Sequence, residues 1–263
     1  MHFNFHFTTV QTLWTLTLAA HLVLLVVLLG RDRTRRFRWF SLGIALVTLR
    51  LLASRLLFGR MPQVTLGELF MGLALISVIV GLLVIVELAR MVFGKLSLRA
   101  WGLGSIAALA GSGLVLAAWG PWPALASVVP NSIFNAVNLL QLVAQKGAML
   151  VDLLSIALGL LMVLFGFRLG TGWRRHPQRV VIGLSTASLG QLAMQGIWLA
   201  ITKSATPHTM ADYEHIMGLR EQLLNANSAL YVVVLVWWIY CLWIDEPGAA
   251  AAVAVQPAED ASA

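Results

Sequence analysis

The 263-residue sequence predicts an all-α polytopic membrane protein, a seven-transmembrane-helix bundle with its N-terminus outside and its C-terminus in the cytoplasm. Three observations carry that expectation. Hydrophobic residues make up 59% of the chain and charged residues 11%, an imbalance that a water-soluble fold of this size could not cover with polar surface. Seven stretches hold about the 20 apolar residues that a helix needs to cross ~30 Å of hydrocarbon. Lysine and arginine concentrate on alternate connections, the pattern that sets topology in the cytoplasmic (inner) membrane.

The spans fall near 9–30, 37–59, 67–92, 99–120, 143–168, 179–201 and 224–244. Met1 to Val10 carries no Lys or Arg, and the first span precedes Arg31, Arg33, Arg35, Arg36 and Arg38. A cleavable signal would have its basic residues first and a small-residue cleavage site after a short apolar core, so this span is expected to stay as an anchor. The second span is the least apolar and carries Arg50 and Arg55, the latter expected to snorkel toward Glu68. The third ends in Glu87 and Arg90, and Glu87 is expected to meet Arg90 or the basic loops, as are Asp245 and Glu246. A helical lead-in over Asn131 to Gln145 precedes the fifth span, and Pro207 with Thr209 to Leu224 reads as a helix running into the seventh.

Orientation follows from the connections. One set holds the five arginines after span one, then Arg90, Lys95 and Arg99, then Arg168, Arg174, Arg175 and Arg179; the other holds Arg60, Lys146, Lys203 and Arg220. Twelve against four places the odd connections in the cytoplasm. Trp39, Trp101, Trp173 and Trp243 are then expected at the inner interface and Trp119, Trp122 and Trp198 at the outer. Residues 1–246 form one transmembrane domain, and the Ala-rich 247–263 is expected to be a disordered cytoplasmic tail.

The net charge of +7 does not indicate nucleic acid, because the cations sit in short loops beside apolar runs, where they act as topology signals. The single cysteine, Cys241, lies in an apolar stretch and suits packing; no disulfide framework exists. The expected partners are the lipid bilayer and a membrane or cytoplasmic protein or a second copy of the chain.

Ionisable groups at membrane depth cost at least ~2.5 kcal/mol each near the centre and so mark interiors. Counting along each span puts Arg50 and Asp152 ~12 Å below the outer face, Gln191 at ~14 Å and His21 at ~18 Å. Asn138, Gln145 and Asp152 recur every seven residues, and Ser188, Gln191 and Gln195 follow a three-to-four spacing, so each set makes one polar stripe. The expectation is an interior polar layer of His21, Arg50, Asp152, Gln191 and Gln195, with an ion pair between Arg50 and Asp152. Such a layer serves either as interhelical glue or as a substrate site.

Outside, His208, Asp212 and His215 are spaced four and three apart on one helical face, with Glu214 adjacent and His2 and His6 on the same side. Imidazole with carboxylate suits zinc, nickel or copper, which makes an outer-side divalent metal the one cofactor candidate. Haem between two helices needs axial histidines, and His21 is the only one within a span. Retinal needs a lysine in the last span, and Ser228 to Ile244 has none. No phosphate-binding Gly-Lys-Ser/Thr loop, His-Glu-x-x-His or Gly-x-Ser-x-Gly motif occurs. Gly111-Ser112-Gly113 and the Ser185/Ser188 pair lack a base at matching depth and read as small-residue helix contacts.

The aromatic run Phe37 to Phe40 after the Arg-rich loop, the stretch Val86 to Arg90, and the closing Leu230 to Tyr240 before Asp245-Glu246-Pro247 resemble an uncharacterised seven-span family of Acidobacteria. The resemblance covers nearly the whole chain and implies a fold but no activity. From the residues, the expected function is a non-enzymatic multi-pass inner-membrane protein of sensory or complex-assembly type. The alternative is a small-solute or ion transporter working through the Arg50, Asp152, His21 and Gln191 cluster, although no span shows the paired Gly/Pro interruption of unwound transporter helices.

Overall fold

The computed structural model describes residues 8–94, 98–119, 122, 133–166, 175–205 and 209–245. Its seven α-helices are α1 (Thr9–Gly30), α2 (Arg38–Leu57), α3 (Gln63–Phe93), α4 (Leu98–Ala118), α5 (Ile133–Gly166), α6 (His176–Ser204) and α7 (Met210–Trp243). No strand occurs among the described residues. Six of the helices are long and apolar enough to cross a membrane, whereas α4 offers a shorter apolar segment, Gly102–Ala118. The lead-ins expected before spans five and seven are continuous with them, so α5 and α7 are single unbroken helices.

Local chemistry accounts for the helix ends. Thr8 caps α1 and Thr209 caps α7, each in a reciprocal arrangement with Gln11 or Asp212 three residues on. Phe37, at the head of α2, has no side chain able to cap. Glu87 of α3 does it instead, its carboxylate accepting from the backbone N–H of Trp39 at 3.2 Å and of Phe40 at 3.0 Å. The expected partner was a basic side chain. The open N–H groups and positive dipole end of α2 fill that role from the neighbouring helix. At the far end of α2, Gly59 adopts φ 77°, the left-handed conformation that glycine tolerates best.

Six helices close into a ring in the order α1, α2, α3, α5, α6, α7, and α4 packs outside it against α5. Paired contacts reveal the helix directions. Val151 faces Gly81 and Val78 faces Gly147, each so close that a Cβ on the glycine would collide, so α3 and α5 run parallel. Trp238 lies against Gly183 and Leu230 against Gly190, in reverse order, so α6 and α7 run antiparallel. His21 with Tyr231 and Arg31 with Asp245 make α1 parallel to α7. Trp119, just beyond α4, accepts from Lys146 Nζ at 2.8 Å and lies beside Gly196, which sets α4 in the direction of α6. Successive helices therefore alternate up and down.

Packing is uneven along the bundle. In the ring, every fully buried side chain lies between the level of His21, Thr48, Val80, Met149, Leu192 and Val234 and the arginine-rich end. There Leu24, Leu28, Phe37, Leu88, Val181 and Leu242 form a dense core. Phe40 and Trp238 meet edge to face at 5.1 Å within it. Among the described residues, the opposite half holds no buried residue in the ring helices. Much of the outward surface is apolar, as with Leu42, Leu49 and Leu56 recurring every seven residues on α2, which is a surface suited to lipid.

At the arginine-rich end, Asp245 joins the ends of α1 and α7 by accepting from Arg33 at 2.9 Å and Arg31 at 3.4 Å. Its side chain is 65% exposed, so solvent screens both pairs. Asp245→Asn is therefore expected to shift unfolding by no more than about 1 kcal/mol, read as the denaturation midpoint in detergent. A loss of several times that amount would show the tie to be required for folding.

Candidate functional site

Four ring helices bring polar side chains to neighbouring levels inside the bundle. Asp152 Oδ1 of α5 accepts a hydrogen bond from Ser188 Oγ of α6 at 2.8 Å. One turn along α6, Gln191 Oε1 accepts from Asn227 Nδ2 of α7 at 2.7 Å. One turn along α7, the Tyr231 hydroxyl meets His21 Nε2 of α1 at 3.1 Å. His21 Nδ1 is 2.7 Å from the Thr17 carbonyl, which only accepts, so Nδ1 carries a proton and donates it there. Ser188 and Gln191 are three residues apart and Asn227 and Tyr231 four, so each pair shares a helix face.

Asp152, Ser188, Gln191, Asn227 and Tyr231 border a cavity of about 400 Å³ lined by α2, α3, α5, α6 and α7. Its polar lining comes from Ser77, Asp152, Ser188, Gln191, Asn227 and Ser228. The remaining wall is chiefly aliphatic and aromatic, with Val47, Val80, Val84, Leu184, Phe40 and Trp238. The Phe40–Trp238 contact forms its floor, and the dense core below it closes the arginine-rich side. Apolar walls with a few converging polar groups are the usual makeup of a small-molecule site.

The expected polar layer is thus partly assembled. Asp152 and Gln191 line the cavity, and His21, fully buried, stands behind Tyr231. Gln195 is half-buried one turn beyond Gln191 and does not line it. Arg50 is exposed on α2, and the expected Arg50–Asp152 ion pair does not form. The reason is angular. Both residues sit at comparable depth, but α3 stands between α2 and α5 in the ring, and Asp152 takes its hydrogen bond from α6. Arg55 lies 6.0 Å from the Trp14 ring and makes no ion pair with Glu68.

On the opposite side, Asp212 is engaged in the cap of α7, accepting from the Thr209 N–H at 3.0 Å. His215 is exposed on the next turn, and His208 lies outside the described residues with His2 and His6. Among the described residues no three His, Cys, Asp or Glu side chains are placed to hold a metal ion. A second hollow of about 700 Å³ lies between α3, α4 and α5, outside the ring. Its walls, Leu82, Val86, Phe93, Leu103, Leu158 and Phe165 among them, carry no titratable group.

Asn227 and Tyr231 are site residues that sequence reasoning passed over. Their four-residue spacing was the available signal, but Asn227 falls close to the expected outer limit of span seven, where an amide needs no partner. Compared with protein-family models, curated proteins and solved structures, the chain matches none.

Proposed function

We propose that this chain is a seven-span protein of the cytoplasmic membrane, N-terminus outside, that binds a small solute in its ring cavity and acts as a receptor rather than an enzyme. The observation that carries this reading is the cavity itself: a polar belt above a packed floor, with looser packing toward the end opposite the arginines. A solute arriving from outside would reach Asn227 and Gln191 first and stop at Phe40 and Trp238. The alternating helix directions support counting α4 as a crossing, and Arg31, Arg33, Arg175 and Arg179 at one end support a cytoplasmic assignment for it. Helix continuity favours a receptor over a carrier, since no proline lies beyond the first turn of any helix and none is unwound at mid-depth.

Thiol labelling tests the site. Gln191→Cys in membrane vesicles is expected to react with a small water-soluble methanethiosulfonate, and Leu235→Cys in the buried core is not. The native Cys241 is buried, so the unmodified protein provides the background. An unreactive Gln191→Cys would mean that the polar belt is interhelical glue. The carrier reading is favoured by one feature, the Asp152 carboxyl in the cavity wall. Saturable uptake of a bound solute into proteoliposomes would establish it in place of the receptor.

A further inference from the structure

We propose that the cavity selects a small lipophilic organic cation, an amine whose ammonium group is held by Asp152 and whose apolar body fills the space between α2, α3 and α6. This rests on the solute-binding reading and adds the chemical class of the solute.

The charge of the wall comes first. Asp152 is the only Asp, Glu, Lys, Arg or His in the lining. Among the described residues, no protein cation lies within 4.0 Å of it. Those of the arginine-rich end are occupied elsewhere, Arg31 and Arg33 by Asp245, and Arg50 is turned outward beyond α3. A carboxylate has two oxygens with about four acceptor sites. Ser188 uses one site, on Oδ1. Among the described residues no other side chain donates to it, which leaves the remaining sites open to a donor from a bound solute.

The belt beside it is uncharged. Gln191 Oε1 holds the Asn227 amide N–H, which leaves the Asn227 carbonyl oxygen as an acceptor and the Gln191 amide N–H groups as donors. Phe40, Tyr231 and Trp238 add aromatic rings to the lining, and aromatic rings favour cations over anions. An anion of equal size would meet Asp152 with no compensating charge, a repulsion that selects against it as effectively as any attraction selects for the amine. A calcium ion needs roughly 6 to 8 oxygen ligands and a zinc ion about four from His, Cys or carboxylate, and a wall with one carboxylate, no His and no Cys does not provide either set. A volume of about 400 Å³ suits a molecule with a single ring and a short chain.

Three probes of nearly equal size separate the possibilities: phenethylamine, phenethyl alcohol and phenylacetate. Each is titrated calorimetrically into the full-length protein in nanodiscs, with empty nanodiscs subtracted to remove lipid partition. The amine is expected to bind at least about tenfold more tightly than the alcohol, and phenylacetate not at all. Asp152→Asn should abolish the advantage of the amine, leaving amine and alcohol equal, and Asp152→Glu should retain part of it.

Equal binding of amine and alcohol to the unmodified protein overturns the proposal, as does an amine advantage that survives in a folded Asp152→Asn. Either result leaves the solute-binding reading standing. The ranking on unmodified protein decides the matter even where Asp152→Asn does not fold. Failure of all three probes with Gln191→Cys still labelled rejects the cation alone. Failure of all three with Gln191→Cys unreactive rejects the cavity site as well.

Discussion

Gly183→Ala is expected to destabilise the folded protein by about 3 kcal/mol, at the upper end of overpacking costs. A Cβ at Gly183 would collide with the indole nitrogen of Trp238 and come within 2.8 Å of its Cε2. That indole has little freedom to retreat. Its N–H donates to the Val180 carbonyl at 3.2 Å, and its ring is 2% exposed and held edge-on by Phe40 at 5.1 Å. Moving it breaks a buried hydrogen bond, loosens the cavity floor and separates α6 from α7. Denaturation midpoints measure the cost, and a double substitution identifies the cause. Gly183→Ala combined with Trp238→Leu should cost no more than Trp238→Leu alone, because the colliding ring is gone. A Gly183→Ala protein as stable as the unmodified one would show that the two helices separate freely at this level.

The second large effect is expected at Glu87. Glu87→Ala leaves the N–H groups of Trp39 and Phe40 without an acceptor and removes a negative charge from the positive end of α2. Together these are expected to cost about 2 kcal/mol. Glu87→Gln keeps one of the two acceptor oxygens and loses the other together with the charge, so its cost should be smaller than that of Glu87→Ala. The order Ala below Gln below Glu, read in the same unfolding assay, is specific to this cap. Equal losses for Ala and Gln would show that the cap needs both charged carboxylate oxygens, and no loss for either would show that water caps α2 unaided.

Glu87 also illustrates how far the sequence could be read. Its depth near the arginine-rich end was evident from spacing, and so was its need for a partner. The partner proved to be backbone, which no pattern of side chains can display. The same limit explains Arg50 and Asp152. A count at a fixed rise per residue yields height along a helix but says nothing of which neighbour a face meets, and ring order is set by contacts such as Val151 on Gly81. Asp152 and Gln191 were found because each belongs to a polar stripe on its own helix. Asn227 was missed for the opposite reason, lying where amides are cheap. The helices themselves were legible nearly end to end, since a 20-residue apolar run has one solution in a bilayer. The weak case was α4, whose apolar segment Gly102–Ala118 is the shortest.

The uneven packing has a mechanical corollary. Side chains locked against one another transmit displacement, whereas loosely packed ones absorb it. The half of the ring beyond His21 and Val234 can therefore shift around an incoming molecule without disturbing the base. A molecule seated on Phe40 and Trp238, however, presses on the same interlocked cluster that includes Phe37 and Leu242. Phe37 leads into α2 directly after the arginine-bearing turn Arg33–Arg35, and Leu242 is three residues from Asp245. On the proposed receptor reading, the bundle would be compliant where a solute enters and stiff where its arrival is felt, with less than two turns of helix between the two.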